Sequence, residues 1–92
     1  MDLNAVEQLK KVLSSVTIEK DQIIYEEGEP LGDGYILSLG KVQLFKNTSD
    51  GKLTEKQTIN SMQVFGVWNS ILGNNVRLFT AKALEKSSAL II

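Results

Sequence analysis

The chain has 92 residues, 42% hydrophobic and 23% charged, and a net charge of −1 from ten basic and eleven acidic side chains. That suits one modest core and leaves no basic stripe of the kind that binds nucleic acid. With no cysteine and no histidine, disulfides, thiolate nucleophiles, the usual zinc sites and Ser-His or Cys-His dyads are excluded, and most enzyme classes with them.

The N-terminus is acidic and amphipathic where a signal peptide would be basic and then uniformly apolar. No apolar run approaches the length of a membrane span. The expectation is one non-catalytic, cytoplasmic domain over residues 1–92 that touches neither membrane nor nucleic acid. Leu3, Val6, Leu9, Val12 and Leu13 have the three-and-four spacing of a one-sided helix, predicted over residues 3–14. Asp2 or Asn4 can cap it, and Glu7 stands where a capping-box acid would follow Asn4.

From Ser15 the period changes to two. Val16 and Ile18 alternate with Thr17 and Glu19, Lys20-Asp21 turns, and residues 22–25 form a short strand ending at Glu26-Glu27-Gly28-Glu29-Pro30. The acids there read as a solvated turn, and Tyr25 and Tyr35 as core. Residues 35–39 and 41–46 read as two strands joined at a Gly40 kink. Asp50-Gly51 marks a tight hairpin turn, and a strand follows at about residues 54–59. The last strands are predicted at 78–83 and 89–92. Short strands at regular spacing indicate a sandwich or small barrel. The ending on Leu90-Ile91-Ile92 reads as a piece cut from a longer protein.

Between these strands lies FGVWNSILGNNVRLFTAKA, from Phe65 to Ala83. Phe65-Gly66 opens it, residues 67–72 can make one or two helical turns, Gly73-Asn74-Asn75 breaks them, and Arg77, the sole arginine, follows. Free N–H groups at a helix start, facing a guanidinium, are a sound way to hold a phosphate. Trp68 is read as a core or interface residue.

The leading helix, IIYEEGEPLGDGYILSLGKVQLFKN, the DGK turn, and FG followed by a short helix and an arginine together resemble the cyclic nucleotide-binding domain. That domain occurs in catabolite-activator-type regulators, cyclic-nucleotide-dependent kinases and ion channels. The resemblance runs from about Leu3 to Ile92 and is best at Gly28-Glu29-Pro30, Tyr35-Ile36 and Gly40-Lys41-Val42. It implies a mainly β fold, an antiparallel β-roll or jelly-roll (a cupin-like double-stranded β-helix), with an N-terminal helix and a short cassette helix.

The resemblance also implies a ligand site, a phosphate-binding cassette that would hold cAMP or cGMP. Phe65 and Gly66 match it, Arg77 matches the arginine that pairs with the cyclic phosphate, and Thr80 falls at a small hydroxyl position. Arg77 is expected to point inward, toward a cavity walled by the Gly66 turn. Val67 replaces the glutamate that accepts the ribose 2′-hydroxyl. Such a loss leaves a buried polar group unpaired, at about 1–3 kcal/mol, or roughly one to two orders of magnitude in affinity. Leu78 and Phe79 replace small residues after the arginine, Val76 a proline, and Met62 the glycine that usually precedes the motif. The cassette is degenerate.

Two functions follow. One is a regulatory module whose nucleotide affinity is weak or lost, acting on an effector domain outside the chain. The other is a degenerate, non-binding structural or dimerising module of the same fold, a homodimer being compatible with either. A cupin-like enzyme of similar shape is disfavoured by the missing histidines.

Overall fold

The computed structural model describes residues 2–47, 53–67 and 76–92. Among them one helix, α1 (Leu3–Leu9), precedes eight strands: β1 (Ser15–Ile18), β2 (Ile23–Tyr25), β3 (Tyr35–Leu39), β4 (Lys41–Asn47), β5 (Leu53–Asn60), β6 (Val64–Phe65), β7 (Thr80–Ala83) and β8 (Ser87–Ile91). They form two four-stranded sheets, ordered β1-β8-β3-β6 and β2-β7-β4-β5. Every described pairing is antiparallel, which is the mainly β roll implied by the sequence.

The sheets close on a shared core. Ile18, Tyr25, Leu37, Val42, Leu44, Ile59 and Phe65 meet the alanines Ala81, Ala83 and Ala89. In the second sheet Leu44 pairs with Ala81 and Val42 with Ala83, so large side chains stand beside small ones and the layers interlock. The first sheet is covered on its other face as well. Val6 of α1 packs there with Ile36 and Leu90. That is why Ile36-Leu37 and Ala89-Leu90 are buried as consecutive pairs where a half-exposed strand would alternate.

The helix is shorter than the residue 3–14 span its periodicity suggests. Asp2 caps it, with its carboxylate accepting the Ala5 N–H at 2.7 Å. Glu7 lies within the helix and pairs with Lys10 at 3.2 Å, so it is not a capping-box acid. Beyond Leu9 the chain tightens: the Lys11 and Val12 N–H groups reach back only three residues, to Gln8 and Leu9. Val12, counted as part of the apolar face, is 77% exposed. The Ser14 carbonyl is needed elsewhere, since it accepts the Ile91 N–H at 2.8 Å.

Gly40 carries the chain from one sheet to the other. Its φ is +106°, and a Cβ there would overlap the side chain and backbone of Ser87, so the position requires glycine. Two strand boundaries also differ from the sequence reading. β7 starts at Thr80, later than 78, because pairing to β4 begins at Phe45–Thr80. β8 starts at Ser87, earlier than 89, because Ser87 and Ser88 already pair with β1. The Asp50-Gly51 turn lies outside the described residues.

Candidate functional site

The site is built around Arg77. Its backbone is held against the β2–β3 connection: the Arg77 N–H donates to Glu29 O at 2.8 Å, and the Gly28 N–H donates to Arg77 O at 2.9 Å. An adjacent bridge pairs Pro30 with Val76. These contacts place the residue on a loop rather than in either sheet, and its side chain turns inward to only 3% exposure.

A buried guanidinium must satisfy its donors, since an unpaired one is costly. Here Nη1 donates to Gly66 O at 2.7 Å and Nη2 to Asp33 O at 2.6 Å. One face of the head lies on the Tyr25 ring, with Cζ 4.0 Å from its centroid, a cation–π arrangement strengthened by exclusion of water. Behind Tyr25 the Tyr35 and Phe65 rings stack 5.2 Å apart, and each lies 6.4 Å from Tyr25. Gly66 has φ +84°, and a Cβ on it would stand 3.1 Å from Arg77 Nη1 and 3.3 Å from Asp33 O. The positive φ favours glycine, and a Cβ there would make the guanidinium or the Asp33 carbonyl shift by a few tenths of an ångström.

Burial pushes the Tyr25 hydroxyl up from 10.0 to about 12; the Arg77 charge pulls it down and Tyr35 adds to the rise. The folded value lies above the unfolded one, so the associated stability is whole below pH 10 and is lost as pH rises from 10 toward 12. In an alkaline titration followed by tyrosinate absorbance, Tyr25 should ionise only near pH 12. Tyr25→Phe should remove that step, and a Tyr25 step completed by pH 10 would contradict the burial.

The structure gathers Phe65, Gly66 and Arg77 around Tyr25. Val67 is half-buried beside them, so close to Gly34 that a Cβ on Gly34 would overlap Val67 Cγ1. The Thr80 hydroxyl accepts the Glu27 N–H at 3.0 Å and so anchors the same loop. Leu78 is half-buried. Phe79 packs against the inter-sheet core, with Lys46 Nζ 5.2 Å from its ring centroid. Trp68 and the rest of the expected cassette helix lie outside the described residues. The sequence reading missed Tyr25 and Asp33 as partners of the arginine. Tyr25 had one usable signal, an aromatic ring ending a strand just before a glycine-bearing loop; Asp33 acts through its main chain and had none.

The family model described as the cyclic nucleotide-binding domain matches residues 15–92. Among solved structures, the chain is similar to the EAL enzyme Bd1971 in its cAMP-bound form, at 30% identity and TM-score 0.77, over 86% of this chain and 21% of that one. It is similar to FixK2 from Bradyrhizobium japonicum at 26% identity and TM-score 0.78, over 88% of this chain and 39% of that one. It shares the fold of the N-terminal domain of a transcriptional regulator from Streptomyces coelicolor A3(2), at 24% identity and TM-score 0.80, over 100% of this chain and 65% of that one. The chain thus spans less than two thirds of each of these proteins. Comparison with curated proteins finds no match. No helix among the described residues is long and apolar enough to cross a membrane.

Proposed function

The chain belongs to the cyclic nucleotide-binding domain family, and from that premise we propose that it is a non-catalytic, cytoplasmic regulatory module that binds a cyclic nucleotide weakly. Phe65, Gly66, Val67, Arg77, Leu78 and Thr80 form its ligand region, and an effector domain outside this chain receives its signal. The observation that carries this reading is the inward guanidinium of Arg77, 3% exposed and resting on the Gly66 turn. A planar cationic fork in that position suits a cyclic phosphate. The similar protein Bd1971 is described in both cAMP-bound and cGMP-bound forms, which makes those two nucleotides the first probes.

Weakness follows from the same geometry. Hydrogen bonds to a charged donor contribute about 1.5–3 kcal/mol each, and two of the five guanidinium N–H groups are already given to Gly66 O and Asp33 O, so a phosphate meets a cation that is partly satisfied. At position 67 a valine offers the ribose no acceptor. We expect a dissociation constant of roughly 10 µM to 1 mM for cAMP or cGMP. Calorimetry, with the fluorescence of Trp68 as a second readout, measures it. Saturable binding that disappears in Arg77→Met, provided the variant keeps its β-rich circular dichroism, supports the reading.

The alternative is a scaffold of the same fold, and one observation favours it: both Nη groups of Arg77 already have main-chain acceptors. Absence of any saturable response to millimolar nucleotide would decide for the scaffold.

A further inference from the structure

We propose that Met62 is a site of reversible oxidation, at which a peroxide converts the thioether to the sulfoxide and so frees α1 from the first sheet. No bound nucleotide is needed for either step.

The chain has no cysteine and two methionines, and Met62 is the one among the described residues. It stands in the turn between β5 and β6 with φ +72°, a backbone conformation that is costly for a residue with a Cβ. The turn itself is fixed. Met62 N–H donates to Leu37 O, Leu37 N–H donates to Gln63 O at 2.9 Å, and Gln63 N–H donates to Asn60 O at 3.2 Å. The Gln63 side chain in turn accepts the Asn60 N–H at 2.7 Å. What this backbone provides is the placement of the thioether: Met62 is half-buried and packs against the cluster of Val6, Ile36 and Leu90, where α1 meets the sheet.

That joint is apolar throughout. Leu9, Leu13 and Val64 complete it, and none of these side chains carries a hydrogen-bond donor. Among the described residues, the side-chain hydrogen bonds of α1 and its cap run only from Ala5 N–H to Asp2 and from Lys10 to Glu7, both within that segment. Packing therefore seats the helix on the sheet. A helix of seven residues does not persist in water without such support.

Oxidation acts on this weak joint, and half-burial leaves a path for a molecule as small as hydrogen peroxide. The thioether sulfur attacks one peroxide oxygen: an S–O bond forms as the O–O bond breaks, and sulfur loses two electrons. The departing hydroxide takes the proton of the transferred oxygen and leaves as water. The new S–O dipole finds no donor within the joint, so it must face water. The turn is tied to β3 and cannot follow, whereas α1 is held by packing and gives way. Methionine sulfoxide reductase, drawing its electrons from a thiol, removes the oxygen as water and restores the thioether.

Treatment of the full chain with hydrogen peroxide tests the proposal, with tandem mass spectrometry to place the added oxygen and NMR amide exchange to follow α1. Met62 should oxidise within about tenfold of the rate of free methionine. Exchange at Val6 and Lys10, whose N–H groups bond to Asp2 O and Val6 O, should then accelerate by about tenfold or more. Exchange at Ala83 and Leu84, bonded to Gln22 O and Lys41 O, should hold, which separates release of α1 from general destabilisation. The reductase should reverse both changes, and Met62→Leu should keep α1 protected and indifferent to peroxide. A Met62 that resists millimolar peroxide overturns the proposal, as does an oxidised Met62 beneath an unchanged α1, or an α1 without protection in the reduced chain. Faster α1 exchange in peroxide-treated Met62→Leu also overturns it, by tracing the effect to another residue. Should that variant not fold, the time courses on the unaltered chain decide: α1 exchange must track oxygen uptake at Met62 and not at Met1.

Discussion

Arg77→Met should lower the free energy of unfolding by about 3 kcal/mol, a large part of the stability of a domain this size. Methionine keeps the apolar stem and deletes the donors, so the loss isolates the head group. Gly66 O and Asp33 O would be left without the Nη partners they have at 2.7 and 2.6 Å. A buried acceptor stripped of its donor costs about 1–3 kcal/mol, and the desolvated contact with Tyr25 adds about 2 kcal/mol at most. Entry of water on the side of Asp33, an exposed residue, offsets part of this. Thermal unfolding should show a drop in Tm of roughly 12–24 °C, at about 4–8 °C per kcal/mol for a domain of this length. The exposed pairs Lys10–Glu7 and Lys82–Asp21 set the contrast, since such pairs contribute about 0–1 kcal/mol. If the Arg77→Met loss falls in that lower range in urea denaturation, the two head-group hydrogen bonds are not what holds the Gly66 turn, and the site loses its footing.

The legible part of this fold was what side-chain period and turn chemistry dictate. Strands β3 and β4 and the Gly40 crossing could be read because alternation and a lone glycine have direct geometric causes. Two elements were misjudged for the opposite reason. Val12 continues the apolar spacing of the helix yet stands exposed, since the backbone has already turned to supply Ser14 to β8. β6 is only two residues long, Val64–Phe65, too short for any period to mark it. Met62 is instructive in another way. It departs from the expected glycine, but its φ is +72°, so the turn has kept a glycine-like backbone under a residue for which that conformation is unfavourable.

At the site, residue identity revealed the arginine and the glycine but not what joins them. A guanidinium among eleven acids would be expected to find a carboxylate, and Arg77 instead takes two main-chain carbonyls. Every residue offers such an acceptor, so no letter of the sequence distinguishes Asp33 or Gly66 as the partner. Tyr25 was assigned to the core, correctly as to burial, but burial alone did not show that its ring face carries the arginine.

Val67→Glu should raise the affinity for cAMP by about one to two orders of magnitude, the value of satisfying one buried hydroxyl at about 1–3 kcal/mol. Val67 follows Gly66, whose carbonyl holds the guanidinium, and its side chain abuts Gly34. On the proposed reading, a carboxylate there would stand beside the same turn as Arg77 and meet the sugar of a nucleotide whose phosphate that arginine holds. The gain must come from the ribose 2′-hydroxyl, so a 2′-deoxy analogue of cAMP is the control. The unaltered chain should bind the two nucleotides with nearly equal strength, because valine cannot tell them apart, whereas Val67→Glu should favour cAMP by the full factor. Equal improvement for both would trace the effect to general charge or packing, and no improvement for either would mean that the sugar does not lie over position 67. Competition calorimetry with the paired ligands separates these outcomes, and it does so without touching Arg77, so a failure here bears on where the ribose lies and leaves the phosphate grip to be judged by its own variants.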